Sequence, residues 1–195
     1  LRHFCVHSCR LTLSVWWGND LPGASIQPGR WHHLVARCDV DTAHLGGDPD
    51  NRTRYTDYQR LLDRDDIDVV TIATPDHWHV KIAAEALKSG KDVYCEKPLT
   101  LTVDEGRIIS KVVEETGQLL QVGTQQRSDE RFLKAVAIAQ SGRLGTIKKV
   151  TVGLNHNPFS KSLPVVGPPK TLNWDRWKGP TEDVPYRFLK NGKDG

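Results

Sequence analysis

Four short stretches of this 195-residue sequence hold residue types that can do chemistry. They are Asp39, closing Leu34-Val-Ala-Arg-Cys38; Thr74-Pro75 with His79; Glu96-Lys97-Pro98; and Gly123-Thr-Gln125-Gln-Arg127. A carboxylate at the end of an early strand accepts hydrogen bonds from ribose hydroxyls, and its charge repels a 2′-phosphate, which favours NAD over NADP. Taken alone, such an Asp is more often a turn former. The Lys97 ammonium can polarise a hydroxyl or carbonyl or donate to a ribose, and the proline after it holds the residue extended and out of the sheet. Glu96 points to the opposite face of that strand end. Thr74-Pro75 makes a tight turn with one amide donor removed, and His79 stands in the first turn of a helix, where it faces either a ligand or the sheet beneath.

These stretches act together only if one framework brings them to one edge. Leu34–Cys38 is a short apolar run, and Ile67-Asp-Val-Val-Thr-Ile-Ala73 is β-branched and bounded by charges, as in a central parallel strand. Asp92–Cys95 and Leu119–Val122 are further strands. Between them lie helices. Tyr55–Asp63 is a short one. His79, Ile82, Ala83, Ala86 and Leu87 fall on one helical face before Gly90. Thr102-x-x-Glu105 is a capping box opening a helix through Val113 to Gly117, and Ser128 opens another that runs to Gly142. Strand–helix alternation from residue 34 to 142 predicts an α/β fold, a doubly wound parallel sheet covered by helices on both faces. Ligands of such sheets lie outside the carboxyl ends of the strands, which is where all four stretches fall.

After Gly145 the pattern changes to Ile147-Lys-Lys-Val-Thr-Val152, a polar-alternating strand, and then to a Pro-rich stretch from Pro158 to Pro185. The division expected is an atypical segment 1–33, a dinucleotide-binding domain 34–145, and the beginning of a second α/β domain, 146–195, with an open and mainly antiparallel sheet. Residues 1–33 hold four of the eight histidines and two of the four cysteines but sustain no helical or strand period. Their His3-x-Cys5-x-His7-x-Cys9 alternation lacks the paired spacing of a zinc site, so no metal is expected. The apolar run Leu11–Trp17 is too short and too polar-interrupted for a signal peptide. The chain opens with Leu1 and contains no methionine, so this stretch is set aside in reading the fold.

Lys+Arg 27 against Asp+Glu 24 gives a net charge of +3 without a basic run, which excludes an electrostatic nucleic-acid footprint. No window is apolar enough to span a membrane. Cysteines this few and dispersed build no disulfide framework, so a reducing, cytoplasmic setting is the expectation, an exported form remaining the alternative.

Ala73-Thr-Pro-Asp-His-Trp-His79, then Val93-Tyr-Cys-Glu-Lys-Pro-Leu99, then Val122-Gly-Thr-Gln-Gln-Arg127, together resemble the Gfo/Idh/MocA family of NAD(P)-dependent oxidoreductases over about residues 34 to 155. Leu172-Asn-Trp-Asp-Arg-Trp-Lys-Gly-Pro180 is similar to a segment of bacterial members that act on sugars, and of the NAD-dependent glycosidase branch. The resemblance implies a Rossmann domain followed by an open-sheet domain, NAD as cofactor with NADP less favoured, and hydride exchange with a sugar or polyol in a homo-oligomer. It also implies roles. Asp39 would hold the adenosine ribose, and Thr74, Pro75 and His79 would line the cofactor's middle. Glu96 and Lys97 would reach the nicotinamide, with Lys97 the catalytic group at the reacting hydroxyl, and Gln125 and Arg127 would lie near the cofactor.

Two departures stand against it. The family's first strand leads into a G-x-G-x-x-G turn that cradles the pyrophosphate, yet none of the 16 glycines here has another two positions away. The family's Asp-x-x-x-His acid/base pair is also missing, and no histidine follows His156. Truncation at both ends, with a misread start, is the expectation, and the 195-residue chain itself is expected to turn over little or nothing. The alternatives are a glycosidase that oxidises and re-reduces its sugar, and a non-catalytic nucleotide-binding fragment.

Overall fold

A computed structural model describes residues 12–17, 33–45, 53–153 and 163–188, with 12–17 and 33–34 described by their backbone alone. Six strands form one sheet: β1 Thr12–Trp17, β2 His33–Cys38, β3 Arg54–Tyr55, β4 Val69–Ala73, β5 Asp92–Glu96 and β6 Leu120–Gly123. Their spatial order is β3-β2-β1-β4-β5-β6. β2 runs parallel to β3, and β4, β5 and β6 run parallel to one another. β1 lies between the two groups, antiparallel to both β2 and β4. The five other strands therefore share one direction, and their carboxyl ends share one rim.

The expected parallel sheet is thus present, with a correction at its centre. A strand occupies residues expected to sustain no strand period, and it runs backwards. Its backbone is paired on both sides, so tertiary pairing overrides a weak local pattern. Reversal places Thr12, paired with Ala73, at the ligand rim and carries Trp17, paired with His33, to the opposite one.

The helices are α1 Tyr58–Leu62, α2 His79–Lys88, α3 Val103–Thr116, α4 Glu130–Gln140 and α5 Trp174–Lys178. Their ends follow local chemistry. Thr102 and Glu105 cap α3 reciprocally, and Gly117 ends it in the left-handed region with φ 69. Asp129, one residue beyond the expected Ser128, caps α4 by accepting from Arg131 N.

Two compact units result: Leu1–Gly123 with Gly167–Tyr186, and Thr124–Val166 with Arg187–Gly195. The first holds the core. Val70 and Ile72 of β4, Val93 and Cys95 of β5, Ile82, Ala83, Ala86 and Leu87 of α2, and Leu61 and Leu62 of α1 are all buried there. Leu87 is 1% exposed, and shortening it to alanine removes three buried carbons from a packed interior. We expect Leu87→Ala to lower the unfolding free energy by about 3 kcal/mol, read from the urea midpoint, whereas a loss under about 1 kcal/mol would show α2 loosely packed.

In the second unit, Ile147–Val152 does not form the expected strand. Ile147, Val150 and Val152 are exposed, and no neighbouring strand of that unit, among the described residues, takes up their amides. That unit's antiparallel pairing is the isolated bridge between Val165 and Arg187. Among the described residues no helix is long and apolar enough to cross a membrane, and no cluster of His, Cys, Asp or Glu could hold a metal; the His3–Cys9 alternation lies outside them.

Candidate functional site

β2 ends at Cys38, and Asp39 follows at the rim, 2% exposed. Its Oδ1 accepts from Asp41 N at 2.8 Å, which turns the chain back, and His44 Nδ1 stands 3.8 Å from Oδ2. The turn-forming and ligand-facing readings of this carboxylate are therefore compatible, since one oxygen closes the loop and the group still lines a cleft.

β4 ends at Ala73. Thr74 is buried, and its Oγ1 has no hydrogen-bond partner among the described residues. A buried hydroxyl without a partner costs free energy unless something else supplies one. Pro75 is buried too and opens the single turn Asp76–Trp78 that leads into α2.

His79 does not face the crevice as expected. It is 1% exposed; its Nδ1 lies 2.6 Å from Pro98 O and its Nε2 lies 2.8 Å from Thr74 O. Both ring nitrogens stand within hydrogen-bond distance of a backbone carbonyl. The side chain thus ties the turn after β4 to the turn after β5, and Pro98 immediately follows Lys97. His79 is a positioning residue rather than a lining one.

β5 delivers Glu96 and Lys97 to the same rim, and the Lys97–Pro98 peptide bond is cis. Lys97 is exposed and has no hydrogen-bond or ion-pair partner among the described residues, so its ammonium is available to a bound molecule. Glu96 lies beside Gly123 at the end of β6. A Cβ there would fall 3.0 Å from Tyr94 Oη and 3.1 Å from Glu96 Oε1, so any other residue would make these two side-chain ends shift by a few tenths of an ångström. Burial and the Glu96 charge hold the Tyr94 phenol above its ordinary value. Gln125 and Arg127 sit in an exposed turn, Gln125–Ser128, that belongs to the second unit.

Beside Asp39 opens a cleft of about 240 Å³, bordered by Asp57 and Tyr58 after β3, by Trp78 and Lys81 after β4, and by Arg176 of α5. The sequence reading missed these. Asp57 reads as a helix cap, which it is, accepting from Gln59 N at 3.1 Å. Arg176 comes from the Pro-rich stretch, in which no helix is expected, although Asn173 before Trp174 is a capping signal, and its side chain does accept from Arg176 N. The Tyr58 hydroxyl donates to Glu85 Oε2 at 2.7 Å, and Lys81 pairs with the other oxygen of the same carboxylate.

The described residues thus spread along one rim, the edge at which such sheets hold a dinucleotide. Asp39 and the cleft stand at one end, Glu96 and Lys97 at the other, and the unpaired Thr74 hydroxyl lies on the strand between. They supply no glycine turn for its phosphates, because β1 leaves the rim rather than arriving at it.

Residues 31–124 match a protein family described as an oxidoreductase family with an NAD-binding Rossmann fold. Inositol 2-dehydrogenase of Rhizobium meliloti is 36% identical over 87 residues, covering 45% of this chain and 26% of that protein. The scyllo-inositol 2-dehydrogenase (NAD(+)) of Bacillus subtilis is 36% identical over 89 residues, 46% of this chain and 26% of that one. Among solved structures, the myo-inositol 2-dehydrogenase of Lactobacillus plantarum superposes with a TM-score of 0.54 at 31% identity, covering 59% of this chain and 35% of that chain. This chain therefore spans about a quarter to a third of the length of the relatives it matches.

Proposed function

Residues 31–124 belong to the Gfo/Idh/MocA family of NAD-binding, Rossmann-fold oxidoreductases, and from that premise we propose that this chain is the nucleotide-binding portion of an NAD-dependent dehydrogenase acting on a polyol or sugar. The observation that carries the reading is the free Lys97 ammonium on the rim it shares with Asp39 and Thr74. The inositol dehydrogenases among its relatives point to a ring polyol as substrate.

The nicotinamide, when bound, accepts or returns the hydride. The chain's own residues have separate tasks. Asp39 accepts from the adenosine ribose hydroxyls, and its negative charge disfavours a 2′-phosphate. Thr74 Oγ1 gives a buried hydrogen bond to the cofactor's middle. Lys97 donates to the substrate oxygen as charge develops there, while Glu96 and the His79–Pro98 tie hold that strand end in place. The proton acceptor for the hydroxyl is not a residue of this chain's described rim, so turnover by these 195 residues alone is expected to be absent.

The test is fluorescence titration with NADH and NADPH. The chain is expected to bind NADH more tightly than NADPH, and Asp39→Asn, which keeps the acceptor for Asp41 N, is expected to narrow that gap about tenfold by removing the charge. Binding of neither nucleotide would overturn the reading. Equal discrimination by the variant would remove Asp39 from the ribose.

A further inference from the structure

One short downstream segment closes the crevice at its β2–β4 end. After β2, Thr42 N donates to Thr171 O at 3.0 Å and Asn173 N donates to Val40 O at 2.9 Å, flanking a bridge between Asp41 and Leu172. After β3, Arg176 donates from Nη1 to Thr56 O at 2.8 Å and from Nη2 to Asp57 Oδ2 at 3.1 Å. After β4, Trp78 Nε1 donates to Trp177 O at 3.1 Å. Gly179 lies so close on the Trp78 indole that a Cβ would fall 2.5 Å from Cζ2, and its φ of 59 is one that glycine adopts freely. Three successive rim loops are therefore fastened to one stretch of nine residues, Thr171–Gly179. The stretch is thereby held in place where it brings Arg176 to the cleft.

We propose that Arg176 is a specificity-determining residue of the nucleotide crevice and forms, with Trp78, the surface against which the adenosine end lies. The proposal rests on the nicotinamide-cofactor reading above. Its physical basis is the state of the guanidinium. Two of its nitrogens donate to Thr56 O and Asp57 Oδ2, which fixes the plane, and the residue lines the same cleft as Asp39 and Trp78 with N–H groups these two bonds do not use. A planar cation held in place stacks on a heteroaromatic ring at little cost in side-chain freedom. Because Asp57 already balances its charge, and Asp39 adds a second carboxylate to the same wall, the pair suits a neutral ring with free ribose hydroxyls better than a phosphate. A residue more than a hundred positions downstream of Asp57 thus completes the pocket that Asp39 begins.

The experiment is calorimetric titration of the full chain with NADH and, separately, with ADP-ribose, which shares the adenosine end but has no nicotinamide. Arg176→Ala is expected to weaken both ligands by about tenfold and by the same factor. Arg176→Lys keeps the ion pair with Asp57 but loses the flat face, and is expected to weaken both about threefold. If the wild-type chain binds and either variant binds as tightly, the proposal is overturned and the cofactor reading stands. Loss of NADH affinity with ADP-ribose unchanged also overturns it, because the contact would then lie elsewhere. If the wild-type chain binds neither ligand, the cofactor reading falls and takes this proposal with it.

Discussion

Replacing His79 with alanine is expected to destabilise the chain by about 3 to 5 kcal/mol and to loosen the rim around Lys97. Two costs combine. Removing a ring that is 1% exposed opens a cavity at the start of α2 that its neighbours cannot fill. It also removes the ring nitrogens that lie 2.8 and 2.6 Å from the carbonyls of Thr74 and Pro98. The amide variant His79→Gln separates the two effects. It refills most of the volume but carries its polar atoms on one flexible end rather than at the two edges of a rigid ring, so it bridges the Thr74 and Pro98 carbonyls less well. The expected order of urea midpoints is wild type, then His79→Gln, then His79→Ala. Amide exchange around Lys97–Leu99 should accelerate in both variants, whereas that of α3 should not. Unchanged exchange at that turn would mean that the ring merely fills space.

His79 also shows how far the sequence can be read. Its helical register with Ile82, Ala83, Ala86 and Leu87 is explicit in the spacing, and all five are buried in α2 as the period requires. What spacing cannot give is the atom that meets each ring nitrogen, since Pro98 O comes from another strand end. The same division holds elsewhere. The β-branched run to Ala73, the capping box at Thr102 and Glu105, and the glycine stop at Gly117 are local signals, and each element stands within about two residues of its expected place. The reversed β1 is invisible because strand direction is decided by partners on either side, not by the six residues themselves. Ile147–Val152 errs the opposite way, as alternation specifies a strand only when a neighbour exists to take up its amides. Arg176 was out of reach for a third reason. Its partners Thr56 and Asp57 lie more than a hundred residues upstream, and nothing in Leu172–Pro180 names them.

The two buried thiols give the second large expectation, an alkaline loss of stability far steeper than the composition suggests. Cys38 ends β2 beneath Asp39, and Cys95 stands in β5 before Glu96; they are 4% and 0% exposed. Burial first, then the adjacent carboxylates, push both from the ordinary 9.0 up to about 12, with Arg176 opposing the shift at Cys38 only in part. The folded chain therefore keeps two protons that the unfolded chain releases once the pH passes about 9. Its stability from these groups is complete below that point and declines as pH rises toward 12, because unfolding then discharges protons into an alkaline solvent. At about 1.36 kcal/mol per pH unit, the loss by pH 10 is about 1.4 kcal/mol for each thiol, so about 3 kcal/mol for the pair, before lysines and tyrosines begin to dominate. Urea midpoints at pH 8, 9 and 10 should record it, and the Cys38→Ala, Cys95→Ala double variant should lose less than half as much over the same range, the remainder coming from Tyr58 and Tyr94, whose phenols are also raised. An equal slope in that variant would assign the alkaline loss to other groups. A second measurement reads the same ionisation directly. In a Cys5→Ala, Cys9→Ala background, native alkylation at pH 8 is expected to run at least about a hundredfold slower than in urea, since a thiol held near 12 is almost entirely protonated there. Rapid native labelling would mean that the ends of β2 and β5 open far more readily than their packing implies, and the rim that Asp39 and Lys97 share would open with them.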